Sequence, residues 1–155
     1  MSELPRESLT LPDAAAHLLG AAVADSLDSV RGSGSPFVPH LMVMEEPGDP
    51  RARRLTHVRF PGELGEGLEQ ARARASEATG FVEASAYAIA WDAFLTVEGD
   101  RKDAVLVEVG SRQDAEGWLF AQAYGPVKQR FRRATTGAID GLRLIDRVPS
   151  RLMPR

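Results

Sequence analysis

FVEASAYAIAWDAFLTVEGDRKDAVLVEVGSRQDAEGWLFAQAYGP, residues 81–126, decides how this chain folds. It is rich in strand-forming residues and holds both tryptophans and both tyrosines. From Val82 to Trp91 small residues alternate with large ones. Ala84, Ala86, Ala88 and Ala90 share one face; Ser85, Tyr87, Ile89 and Trp91 share the other. A period of two is the β-strand signal. The alanine face is smooth, so a helix is expected to lie flat on it. The apolar pattern runs on through Phe94, Leu95 and Val97. A single strand over 82–98 would be roughly 55 Å long at ~3.3 Å per residue. A bend or bulge is therefore expected near Trp91-Asp92-Ala93.

Glu98-Gly99-Asp100-Arg101 reads as a hairpin with Gly99-Asp100 as its loop, of type II′ because glycine comes first. Glu98 then faces Arg101, and Thr96 faces Asp103. Asp103 to Val109 is nearly continuous in apolar residues, which places it at the sheet's centre, covered on both faces. Ser111 to Gly117 is polar and reads as a loop. Trp118 to Tyr124 is the next strand, closed by Gly125-Pro126.

Upstream of this meander, Thr10-Leu11-Pro12-Asp13 resembles a helix start. Ala15, Leu19, Ala22, Val23, Leu27 and Val30 follow at helical spacing, with His17 off the stripe. Gly32-Ser33-Gly34-Ser35-Pro36 ends that helix in a flexible link, so it is free to dock on its own body or on a second copy. Phe37 to Glu46 and Arg53 to Phe60 read as two strands around a Pro47-Gly48-Asp49-Pro50 turn. Pro39 argues for an edge position or an irregular start. Pairing Glu46 with Arg51 sets His40 directly opposite His57. A second helix follows Pro61-Gly62, with Leu64, Leu68, Ala71, Ala75 and Ala78 on one stripe and Gly80 as its stop. Its shallow face suits the alanine face of the next strand. Downstream, Thr135-Thr136-Gly137 reads as a turn and Leu142 to Val148 as a short last strand. The final PSRLMPR reads as loose.

The order is helix, two strands, helix, strand meander, with no βαβ alternation and no repeat. The expected fold is α+β: a mainly antiparallel sheet with the helices packed on one face. At 155 residues the chain is expected to be one domain over 1–155. Within it, 1–36 is the N-terminal helix and link, and 127–155 a basic segment docked on the body.

The net charge of −3 is unevenly spread. Residues 1–62 carry −2, residues 63–126 carry −7 and residues 127–155 carry +6. The basic tail is expected to rest on the acidic meander. Its Phe131, Ile139, Leu142, Leu144 and Ile145 argue for packing. There is no cysteine, hence no disulfide framework and no thiolate metal site. No run reaches the ~18 apolar residues of a membrane span. The N-terminus lacks a signal-peptide layout. A cytoplasmic, non-membrane protein is expected, and 17 arginines against 2 lysines suggest a GC-rich bacterial genome.

Few residues suggest chemistry. His40 and His57, across a strand pair, have the spacing to share a metal or to act as a base and its orienter. No third ligand stands at motif spacing, so neither a metal nor another cofactor is expected. Asp92, Asp103 and Glu108 lie on neighbouring strands, but the lysine of a metal-dependent nuclease is missing. Asp92, beside Trp91, is the best single acid candidate. The Gly-Ser-Gly-Ser link has no phosphate-loop lysine, and Gly62, Gly65 and Gly67 make no dinucleotide fingerprint. Arg51, Arg53 and Arg54 form one basic cluster and Arg130, Arg132 and Arg133 another, suited to nucleic acid or a protein partner. The net acidity argues against nucleic acid.

The first functional expectation is a non-enzymatic interaction or scaffold domain acting as a homodimer. The second is a small-molecule-binding protein or enzyme with a pocket near His40 and His57. The third is nucleic-acid binding through the arginine clusters.

Overall fold

A computed structural model describes residues 10–33, 36–46, 51, 53–77, 84–127, 135–138 and 141–152. The elements are α1 (Asp13–Ser33), β1 (His40–Glu45), β2 (Arg54–Arg59), α2 (Leu64–Glu77), β3 (Ala84–Val97), β4 (Asp100–Ser111), β5 (Glu116–Val127), β6 (Thr135–Ala138) and β7 (Arg143–Pro149). The strands form one antiparallel sheet in the order β2-β1-β3-β4-β5, with β6 and β7 sharing the far side of β5. The α+β class and the element order stand as expected. Both helices carry an acid in the first turn and an arginine in the last, matching the helix dipole.

The meander is the core of the sheet. Val105, Val107, Ile89 and Phe120 are all buried. Strand β3 runs unbroken for 14 residues, and its register with β4 holds from Ala86 to Val97. The bend expected at Trp91-Asp92-Ala93 is not there. The irregularity lies at Ser85, where β3 slips by one residue against Met44 and Glu45. The Ser85 hydroxyl donates to the Met44 carbonyl, and Arg112 donates to the Ala84 carbonyl, so local bonds support the bulge. The β3–β4 turn also sits one residue earlier than expected. Val97 pairs with Asp100, and the loop is Glu98-Gly99 with φ of 51° and 83°. Two positive φ values make it type I′.

The two helices take opposite faces, where one shared face was expected. The alanine face of β3 meets α1, whose Ala15, Leu18, Leu19 and Ala22 bury against Ala86, Ala88, Ala90, Val107 and Phe120. Helix α2 lies on the other face, where Ala71 and Ala75 meet Leu41, Tyr87, Ile89 and Trp91. The longer, more apolar helix takes the flatter ground, since Leu18 and Leu19 supply the bulk the alanines lack. Helix α1 thus docks on its own chain. Strand β1 is interior, and β2 is the edge. Pro39 precedes β1, so it is the irregular start, and its carbonyl accepts the Phe60 N–H.

Two downstream readings change. Strand β5 runs through Gly125-Pro126 to Val127, and Thr135-Thr136-Gly137 is strand β6 rather than a turn. The end is packed as far as Leu152, which is fully buried on the α2 face. No helix among the described residues is long and apolar enough to cross a membrane.

Candidate functional site

The two faces of the sheet carry two polar constellations. On the α1 face, β1 and β2 pair with Met42 opposite His57 and His40 opposite Arg59. The expected His40–His57 opposition is off by two residues, so the two remain diagonal neighbours on the same face. Their rings lie 4.9 Å apart, with His57 Nε2 3.0 Å from His40 Nδ1. His40 is fully buried, and its Nε2 lies 2.8 Å from Ser26 Oγ of α1. The Ser26 hydroxyl donates to the Ala22 carbonyl at 2.7 Å. With its single proton committed there, it accepts from His40 Nε2. His40 Nδ1 is then the bare nitrogen and accepts from His57.

Asp25 of α1 completes the group. Its Oδ2 lies 3.7 Å from His40 Nε2 and 3.8 Å from His57 Nε2, and its Oδ1 accepts from Arg59. Burial pulls the His40 pKa down to about 4; Asp25 opposes the shift, and His57 and Arg59 add to it. His57 is lowered as well, by burial first and then by Arg59, against Asp25. Both imidazoles are therefore neutral at pH 7.

On the α2 face a pocket of about 750 Å³ opens between α2, the sheet and the chain end. Arg72 and Ser76 line it from α2, Trp91, Glu108 and Leu119 from the sheet, and residues 148–151 close it. Its polar floor is built from the meander. Tyr87 faces Gly110 across the strands, where an added Cβ would come within 2.6 Å of the ring. Glycine there lets the ring lie over β4, and its hydroxyl donates to Glu108 Oε2 at 2.6 Å. Arg151 grips Glu108 through Nε at 2.7 Å and a second nitrogen at 3.0 Å. Burial and then the Glu108 carboxylate raise the Tyr87 pKa, so the phenol stays protonated. Burial alone would lower the Arg151 pKa, but its bonds to Glu108 and that carboxylate's charge raise it.

Arg72 is the pocket's loose end. Its guanidinium lies over Trp91, 5.5 Å from the ring centre, and one terminal nitrogen reaches Glu69 at 3.4 Å. Its Nε is buried with no hydrogen-bond partner.

Of the acids weighed from the sequence, Asp92 and Asp103 share a face, with Asp103 opposite Phe94, and Glu108 does not join them. Asp92 is buried on the α1 face, where it accepts from Tyr124 and the Phe37 N–H. Glu108 faces α2, on the opposite side. The Tyr124 hydroxyl and the Phe37 N–H hold Asp92 as a structural acceptor, whereas the sequence reading makes it the acid candidate. Of the first arginine cluster, Arg53 pairs with Glu46 at 2.9 Å and Arg54 sits opposite Glu45 on the edge strand. Arg51 is exposed. Arg130, Arg132 and Arg133 lie outside the described residues.

Asp25, Ser26, Arg72 and Arg151 are absent from the sequence-based candidates. Ser26 had a signal: it stands four residues after Ala22, inside the apolar stripe, where a hydroxyl must be bonded. Arg151 had none, lying in a segment that reads as loose. Compared with known families, characterised proteins and solved structures, the chain matches none.

Proposed function

We propose that this chain is a small-molecule-binding protein whose site is the α2-face pocket. The ligand class is a small, flat, largely apolar molecule bearing a hydrogen-bond acceptor. The observation that carries this reading is the Arg72 Nε–H, buried on the pocket wall with no acceptor. A buried donor left unmade costs ~1–3 kcal/mol, so an incoming acceptor gains that back. Trp91, Leu119 and Pro149 offer apolar walls for the rest of the molecule. The volume lies in the range of ordinary ligand sites, about 300–1,000 Å³. Glu108, the pocket's carboxylate, is held by Tyr87 and Arg151 and neutralised by the latter. Such a carboxylate suits holding a ligand better than moving a proton.

Isothermal titration with benzoate tests the reading, with cyclohexylammonium as a cation that has no acceptor. Benzoate is expected to bind one per chain, and Arg72→Gln to weaken it about tenfold, the loss of one hydrogen bond of ~1.4 kcal/mol. Absence of benzoate binding, or equal binding by Arg72→Gln, contradicts the proposal.

The homodimeric interaction domain has less support. Its open edge, β2, has Arg54 and Arg59 at its ends. Antiparallel pairing of two such edges would set arginines against each other. A dimer in sedimentation velocity would restore that reading.

A further inference from the structure

We propose that Asp25, His40 and His57 bind one divalent transition-metal ion, with Zn²⁺ the best match to the donors. One ligand atom from each residue lies within 4.8 Å of the other two. Two imidazoles and a carboxylate are borderline donors that suit zinc, cobalt, nickel or copper over magnesium or calcium. The site is independent of the α2-face pocket, since it lies on the opposite face of the sheet.

The neighbouring groups orient the three ligands as supporting groups do around metals. Ser26 takes the His40 Nε2 proton and so leaves Nδ1 as the lone pair. Arg59 holds Asp25 Oδ1 and leaves Oδ2 turned inward. That Oδ2 is buried and has no hydrogen-bond partner. At 3.7 and 3.8 Å from the ring nitrogens it is too far for a hydrogen bond. The 3.8 Å to His57 Nε2 separates two ligand atoms, and an ion ~2.0–2.2 Å from each bridges it; the 3.7 Å runs to the His40 nitrogen that Ser26 holds. The same ion takes the place of the proton between His57 Nε2 and His40 Nδ1. His57 keeps its ring proton by shifting it from Nε2 to Nδ1, so that exchange is balanced.

Access is open on one side. The side chains of His57 and Asp25 are 26% and 28% exposed, while that of His40 is fully covered. The ion enters from the β2 edge and keeps an outer position for water. Arg59 opposes it electrostatically, so affinity falls below that of an all-protein four-ligand site. The competing account is a hydrogen-bond network that merely pins α1 to the β1–β2 hairpin. Such a network needs no ion, and it leaves the Asp25 Oδ2 unexplained.

The full chain, stripped with EDTA and dialysed, is titrated with Zn²⁺ and then with Co²⁺. One Zn²⁺ per chain is expected, with visible Co²⁺ bands of low symmetry and no Mg²⁺ binding. His57→Ala and Asp25→Asn each are expected to weaken Zn²⁺ at least tenfold. Both residues are partly exposed and Asn is isosteric with Asp, so a folded protein is expected, and circular dichroism checks it. His17→Ala, on the exposed side of α1, is expected to bind as wild type does. No stoichiometric Zn²⁺, unchanged affinity in both site variants, or loss with His17→Ala overturns the proposal.

Discussion

His40 shows how one residue couples burial to stability. Unfolded, it titrates near 6.5; folded, burial holds it at about 4. As pH falls from 6.5 the unfolded chain takes a proton that the folded chain refuses. The neutral His40 therefore supports the fold fully above pH 6.5, and that support is lost progressively as pH falls towards 4. The loss is at most about 3 kcal/mol. Urea midpoints in EDTA are expected to drop across this window, and His40→Gln to flatten the drop. A wild-type midpoint constant from pH 7 to pH 4.5 contradicts the burial argument. Arg151 makes the complementary case. Arg151→Ala leaves the Glu108 carboxylate buried with Tyr87 alone, which should cost about 3 kcal/mol in urea unfolding. A loss under 1 kcal/mol would show that Glu108 is solvated through the pocket.

The elements show what was legible beforehand and why. The faces of β1, β2, β3 and β4 follow from alternation, and they survive a shift of the turn by one residue. Such a shift moves both strands' pairing by two positions together and keeps parity. The turn itself was harder to place, because Gly99 suits either loop position and only the backbone shows Glu98 at φ 51°. An L-residue with a long side chain is disfavoured there. Glu98→Asn should stabilise the hairpin by about 0.5–1 kcal/mol, read as a higher urea midpoint. An unchanged midpoint would mean that Glu98 loses nothing at positive φ. Which helix took which face was not legible, because both faces of β3 are apolar and differ only in bulk. The Asp25–His40–His57 convergence was half visible: two strands supplied the histidines, and the third ligand came from a helix docked across 15 residues of chain. At the sheet's centre, Val107→Ala removes buried methyl groups between Ala90 and Phe120, at a cost of about 1–3 kcal/mol.

At the scale of the whole molecule, a two-faced sheet separates its two polar sites. The α1 face is covered by a 21-residue helix, and its Asp25–His40–His57 group lies at the β2 edge. The 14-residue α2 covers less of its face, and the uncovered part is the pocket, closed by the end of β7 and the two residues after it. That wall was invisible in the sequence, where 149–155 reads as a loose end although Leu152 is core and Arg151 holds Glu108. The two tryptophans report on the faces separately: Trp91 lines the pocket, while Trp118 packs with the α1-side core. The most direct test is a two-dimensional proton–nitrogen NMR titration with benzoate, following both indole N–H signals. A saturable shift of the Trp91 indole is expected, with the Trp118 indole unmoved. Equal shifts at both, or movement of Trp118 alone, would contradict it.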